Sequence, residues 1–114
     1  MNLRLSVWKL QKDIVLIPFP YSDLTGAKQR PALIISNELI NNQDKICCLI
    51  TSNSAIDGLE IKNEHFKNGK LPFKSWVKPH RIFTIDSRII KKKLCSINQN
   101  FHREIVKTLN KYFD

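Results

Sequence analysis

The sequence predicts a mainly β domain: a small twisted barrel with a single C-terminal α-helix packed on it. Three observations carry that prediction. Short β-branched, apolar runs recur along the chain, among them DIVLIPF, PALIIS, ICCLITS and RIFTID. Polar stretches marked by Gly, Pro and Asn separate them. Only the C-terminal segment repeats its apolar residues at helical spacing. The chain has 114 residues, a length suited to one domain on the usual scale of about 100–200. Residues 1–114 are therefore read as one domain with its own core.

Residues 1–12 are a mixed lead-in. Segment 13–19 reads as a buried strand, with Ile14 and Leu16 on one side and Val15, Ile17 and Phe19 on the other. Pro18 and Pro20 cannot donate to a ladder, so this strand ends there or runs along an edge. Residues 20–29 form a polar loop with Gly26 near its tip. Arg30 opens a second strand whose first position is Pro31, where a missing N–H costs least. After a polar connection over 37–45, a third strand runs 46–52 and ends in hydroxyls. A short strand follows near 58–62, and the basic stretch 63–74 turns at Asn68-Gly69. SWV (75–77) and RIFTID (81–86) read as two further strands. A basic connector with a short helical turn leads to the last strand, 93–97.

Asn98 is the expected N-cap of the helix, its side-chain oxygen accepting an orphan backbone N–H. Phe101, Ile105, Val106, Leu109, Tyr112 and Phe113 then form one apolar stripe, read as core packing. Lys107 and Lys111 lie near the C-terminal end, where they suit the helix dipole.

Nineteen Lys and Arg against ten Asp and Glu give a net charge of +9 and a pI of about 9.7. Such a domain suits a polyanionic partner, nucleic acid above all. Lysines that merely decorate a surface give the same total, and charge alone leaves both readings open. No apolar run approaches the ~20 residues that span a bilayer, and Arg4 and Lys9 interrupt the opening segment. A cytoplasmic protein without a membrane partner is expected. Cys47, Cys48 and Cys95 read as reduced core residues, the adjacent pair pointing to opposite faces of its strand. No C-x₂-C pair is present, and His65, His80 and His102 lack ligand spacing. No metal or cofactor is expected.

Three blocks in order, DIVLIPFPYSDLTGAKQRPALIIS, CCLITSN and SWVKPHRIFTID, resemble the MazF/PemK family of toxin endoribonucleases of type II toxin–antitoxin systems. They extend from residue 13, and with the final strand the resemblance reaches 97. It implies an SH3-like barrel with a C-terminal helix, of the kind shared by MazF, PemK and CcdB toxins, forming a homodimer. It implies an mRNA interferase, a nuclease of the hydrolase class that cleaves single-stranded RNA at short motifs without a metal and leaves 2′,3′-cyclic phosphate and 5′-hydroxyl ends. It also implies a cognate antitoxin that covers the RNA site, expected from the charge to be acidic. Two positions depart from the family pattern: Lys12 stands where Gly is usual, and Thr25 where some members carry a carboxylate. The nearest carboxylate is Asp23.

Arg30 aligns with the family's catalytic arginine. A guanidinium can hold a phosphate bidentately and stays protonated, which suits a clamp or a proton donor rather than a base. A surface arginine at a loop–strand junction is the alternative. Thr51 matches the family's catalytic threonine, a hydroxyl that donates to a phosphoryl oxygen, with Ser52 as its helper. Taken alone, a threonine is an ordinary strand residue. Lys28, Gln29, Asn53, Lys78 and Arg81 are candidates to line an RNA groove, as phosphate contacts or amides at base edges. Phe19 and Tyr21 are candidates to stack unpaired bases. Trp76 and Asp86 are read as structural, and the run Arg88, Lys91, Lys92 and Lys93 as a solvated face or a wider footprint. Two other functions fit the same barrel: a non-enzymatic toxin that binds gyrase, and an RNA-binding barrel without catalysis.

Overall fold

A computed structural model of the chain describes residues 10–19, 28–41, 43–54 and 56–114, the side chain of Phe19 excepted. Its strands are β1 (Asp13–Phe19), β2 (Lys28–Ile34), β3 (Asp44–Thr51), β4 (Leu59–Glu60), β5 (Phe66–Asn68), β6 (Trp76–Asp86) and β7 (Lys92–Ile97). Among the described residues one α-helix, α1 (Gln99–Lys111), follows. The strands make one curled antiparallel sheet in the order β4-β6-β3-β2-β1-β7-β5. This is the mainly β architecture expected, with the barrel taking the form of a half-barrel and the helix at its C-terminal end.

Because strand side chains alternate, adjacent residues leave the backbone toward opposite faces. Ile14, Leu33, Cys48 and Ile97 enter one buried cluster, which α1 covers with Phe101 and Ile105. Their neighbours Val15, Ile34 and Cys47 enter a second cluster with Ile17, Ala32 and Ile85. Cys47 and Cys48 are thus split between two cores. Both are free thiols, pushed up to about 12 by burial, so neither is a nucleophile near neutral pH. The helix starts where expected: Asn98 Oδ1 accepts the Phe101 N–H at 2.9 Å. Phe101 and Ile105 are fully buried, each contributing about 1.5–3 kcal/mol by leaving water.

Four local expectations need correction. The second strand begins at Lys28, before Arg30, because Lys28, Gln29 and Arg30 already pair with β1. SWV and RIFTID are one strand, β6, whose residues Pro79, His80 and Arg81 have no partner on β3. Pro79 has no N–H to give a ladder, and the chain bulges there instead of ending. The basic stretch 63–74 contains a 3-10 turn and the short strand β5 as well as the turn at Gly69. The apolar stripe of α1 stops at Leu109, since Tyr112 and Phe113 lie past the helix and are exposed.

Lys12 has a φ of 79°, in the left-handed region that favours glycine. Two hydrogen bonds fix it there: its N–H donates to Ile34 O at 2.8 Å, and its carbonyl accepts the Ile97 N–H at 2.9 Å. That geometry is the one in which glycine, the residue the resemblance implies at this position, carries no steric cost. Lys12→Gly relieves about 1–2 kcal/mol of backbone strain and costs about 0.4–1 kcal/mol through a freer unfolded chain. Urea denaturation should therefore show the variant more stable, by about 0.5–1 kcal/mol, while Lys12→Ala shows no gain.

Asp13 is buried beneath this turn, accepting the Leu10 N–H at 2.8 Å and facing Lys93 Nζ at 3.3 Å. Burial outweighs both partners and raises its pKa above the ordinary 3.8. A carboxyl raised in this way stabilises the fold most below its unfolded value and loses that contribution as pH rises through the folded value. Asp13→Asn, which stays neutral, should gain stability relative to the parent as pH rises from about 3 to 7. Thermal melts across that range check it, and a difference independent of pH would contradict it.

Candidate active site

The site forms where two neighbouring strands part. Hydrogen-bonded pairing between β2 and β3 ends at Ala32 opposite Leu49, although β2 runs back to Lys28 and β3 on to Thr51. Pro31 stands at that point and has no amide hydrogen to extend the ladder. Continuing the same register by two residues sets Arg30 across from Thr51, on the face shared by Ala32 and Leu49. Thr51 in turn pairs with Trp76, and Leu49 with Lys78, so Lys78 joins that face. Arg30 is exposed and Thr51 half-buried. The Thr51 hydroxyl accepts the Asn53 N–H at 3.1 Å, which leaves its own proton free to donate.

The opposite parity carries Gln29, Pro31, Ile50 and Ser52 to the other face. There they line a cleft of about 340 Å³ that Arg30 also borders. Its floor is a row across three strands, with Pro31 and Lys92 each paired to Leu16. A bulge in β7 sets this arrangement. Cys95 pairs with Ile14 and Lys93 with Val15, leaving Leu94 as the extra residue. The slip of one position turns Lys93 toward Asp13 and turns Lys92 toward the cleft. The far wall is Leu71, Pro72 and Phe73, from the segment between β5 and β6.

The rim of the sheet therefore gathers Arg30, Thr51, Ser52 and Gln29, with Lys28 exposed at the start of β2 and Asn53 exposed just past β3. Lys78 lies farther along and faces Asp57 at 3.9 Å. Asp57 also meets His80 Nε2 at 3.2 Å, a surface cluster of small energetic weight. Arg81 sits in the β6 bulge, exposed and outside the cleft lining. Tyr21 and the Phe19 side chain lie outside the described residues, as do Asp23 and Thr25. Asp86 accepts the Arg88 N–H at 2.9 Å and pairs with its guanidinium at 2.7 Å, which holds the carboxyl down to about 2.

Phe73 is the residue that sequence reasoning missed. Its only signal was an aromatic between Pro72 and Lys74 in a stretch read as basic and polar. Lys92 was read merely as part of a charge run, because a bulge that re-aims one lysine among three leaves no mark in the letters. A larger hollow of about 550 Å³ along α1, bordered by Arg103, Lys107 and Lys111, holds none of the candidate catalytic or RNA-binding residues. Among the described residues no three His, Cys, Asp or Glu side chains gather as metal ligands, and no helix is long and apolar enough to cross a membrane.

Solved structures share this fold. The chain in a MazE–MazF crystal structure from Deinococcus radiodurans has a TM-score of 0.73 at 17% identity, covering 91% of this chain and 94% of that one. Mycobacterium tuberculosis toxin MazF-mt6 has a TM-score of 0.69 at 15% identity, covering 90% and 96%. An endoribonuclease in complex with its cognate antitoxin, from a mycobacterial species, has a TM-score of 0.65 at 16% identity, covering 91% and 93%. At such identities the likeness is one of fold. No curated protein matches the sequence. The pattern of one family, described as PemK-like, MazF-like toxin of type II toxin-antitoxin system, matches residues 10–113. The chain belongs to the PemK-like, MazF-like toxin family of type II toxin–antitoxin systems.

Proposed function

We propose that the protein is a sequence-selective endoribonuclease that cleaves single-stranded RNA without a metal ion. The observation that supports this reading is the end of β2–β3 pairing at Ala32 and Leu49, beyond which the same register, continued, would set Arg30 across from Thr51. The substrate supplies its own nucleophile. The ribose 2′-hydroxyl gives up its proton to solvent as its oxygen attacks the adjacent phosphorus, the bond to the 5′-oxygen breaks, and that oxygen takes up a proton. The products are a 2′,3′-cyclic phosphate and a 5′-hydroxyl. DNA lacks the nucleophile and is not cut.

Arg30 holds two oxygens of the scissile phosphate and stands ready to protonate the leaving oxygen. Thr51 donates its hydroxyl to a phosphoryl oxygen as charge builds there, assisted by Ser52 across the strand. Gains of this kind come from placement and preorganised electrostatics. Lys28, Lys78 and Arg81 supply salt-sensitive attraction for the strand, and Gln29 and Asn53 offer amides to base edges. Phe19 and Tyr21 remain proposed stacking residues. The active form is a cytoplasmic homodimer. An acidic segment of a cognate antitoxin silences it by covering this rim.

Purified protein incubated in EDTA with a long unstructured RNA should yield fragments with cyclic phosphate ends. Arg30→Ala should lose about 10²–10³ in rate with an unchanged circular dichroism spectrum. RNA left intact across many sequences would overturn the reading. Folded Arg30→Ala that kept full toxicity in cells would point instead to a target such as gyrase.

A further inference from the structure

We propose that the cleft beside Arg30 is a nucleobase subsite, with Phe73 as its stacking platform and Lys92 as the contact for the neighbouring phosphate. The inference rests on the nuclease reading only for which strand is bound. Phe73 is 74% exposed, and a lone exposed aromatic ordinarily needs no explanation. Here the backbone beneath it is anchored three times. Gly69, with φ of 71°, packs so close to β7 that a Cβ would lie 3.1 Å from Cys95 Cβ. Leu71 packs on the helix-covered core. The buried Ser75 hydroxyl donates to the Phe73 carbonyl at 3.0 Å. The segment thus spends its contacts on holding its backbone while presenting the ring to solvent. A preorganised aromatic of this kind binds a flat partner at little entropic cost.

The remaining walls narrow the occupant. Leu16, Pro31 and Leu94 give an apolar bed, and Gln29 and Ser52 put an amide and a hydroxyl at its edge. At about 340 Å³ the cleft is at the small end of ligand sites, which run to roughly 300–1,000 Å³. It admits one base and its sugar. Arg30 and Lys92 border it from two sides, and neither has an ion-pair partner among the described residues. Pro31 and Lys92 lie two strands apart in the sheet, on the order of 10 Å. Two unpaired cations flanking an apolar slot suit a flat heterocycle on a polyanionic backbone, and an uncharged apolar peptide would gain nothing from them.

The test is binding of single-stranded 2′-O-methyl RNA, which lacks the nucleophile and is not cleaved, to the full chain. Phe73→Ala should weaken binding roughly tenfold, and Phe73→Trp should restore it. Lys92→Gln should weaken binding and reduce the salt slope by about one. Duplex RNA, whose bases are not available to stack, should bind equally to parent and Phe73→Ala. An affinity within twofold of the parent for Phe73→Ala would overturn the proposal. So would a changed oligomeric state with unchanged RNA affinity, which would reassign the ring to a protein contact. Cleavage and binding fail separately: Phe73-dependent binding without cleavage of any RNA leaves the subsite standing and removes the nuclease.

Discussion

The structure turns on one missing hydrogen-bond donor. A proline inside a sheet is ordinarily confined to edges, because it leaves its neighbour's carbonyl without a ladder partner. Pro31 lies in β2, between β1 and β3, and it coincides with the end of β2–β3 pairing. Beyond it both strands continue, β2 still held by β1 and β3 still held by β6. The result is a stretch of two neighbouring strands unpaired with each other and held only from their outer sides. Arg30 and Thr51 stand on its two arms. An open rim of that kind can admit a backbone from outside while its walls stay rigid.

Two departures from regular pairing then distribute the charges. In β7 the extra residue Leu94 separates Lys92 from Lys93, sending one lysine to the cleft and the other to a buried carboxylate. In β6 the unpaired residues Pro79, His80 and Arg81 let one long strand serve two stretches of β3 while carrying His80 and Arg81 outward. The excess of positive charge is therefore not spread evenly in its consequences. Lys93 answers Asp13, Lys78 answers Asp57 and Arg88 answers Asp86. Arg30 and Lys92 have no such partner among the described residues, and both border the cleft.

The barrel, its terminal helix and the splitting of Cys47 from Cys48 were legible in the sequence, because alternation and helical spacing are local signals. Arg30 and Thr51 were legible as a pair only through their resemblance to a family. Nothing in the spacing of an arginine and a threonine says that their strands will be neighbours in one sheet. That follows from strand order, a property of the whole sheet. Phe73 and Lys92 were not legible for the same reason: one depends on a loop pinned by Gly69 and Ser75, the other on a bulge. The strand β6 was misread as two because Pro79 breaks a ladder without breaking the strand. Lys12 is an instructive exception: it stands where the resemblance expects a glycine, and the lysine adopts a left-handed turn there regardless.

The central claim is that Arg30 and Thr51 act on one phosphate. A double-mutant cycle on the cleavage rate of single-stranded RNA tests it most directly. If both groups stabilise the same transition-state charge, the Arg30→Ala/Thr51→Ala protein will be about as slow as the worse single variant. Losses that simply multiply would mean two groups working at separate places, and the shared-phosphate arrangement would be wrong.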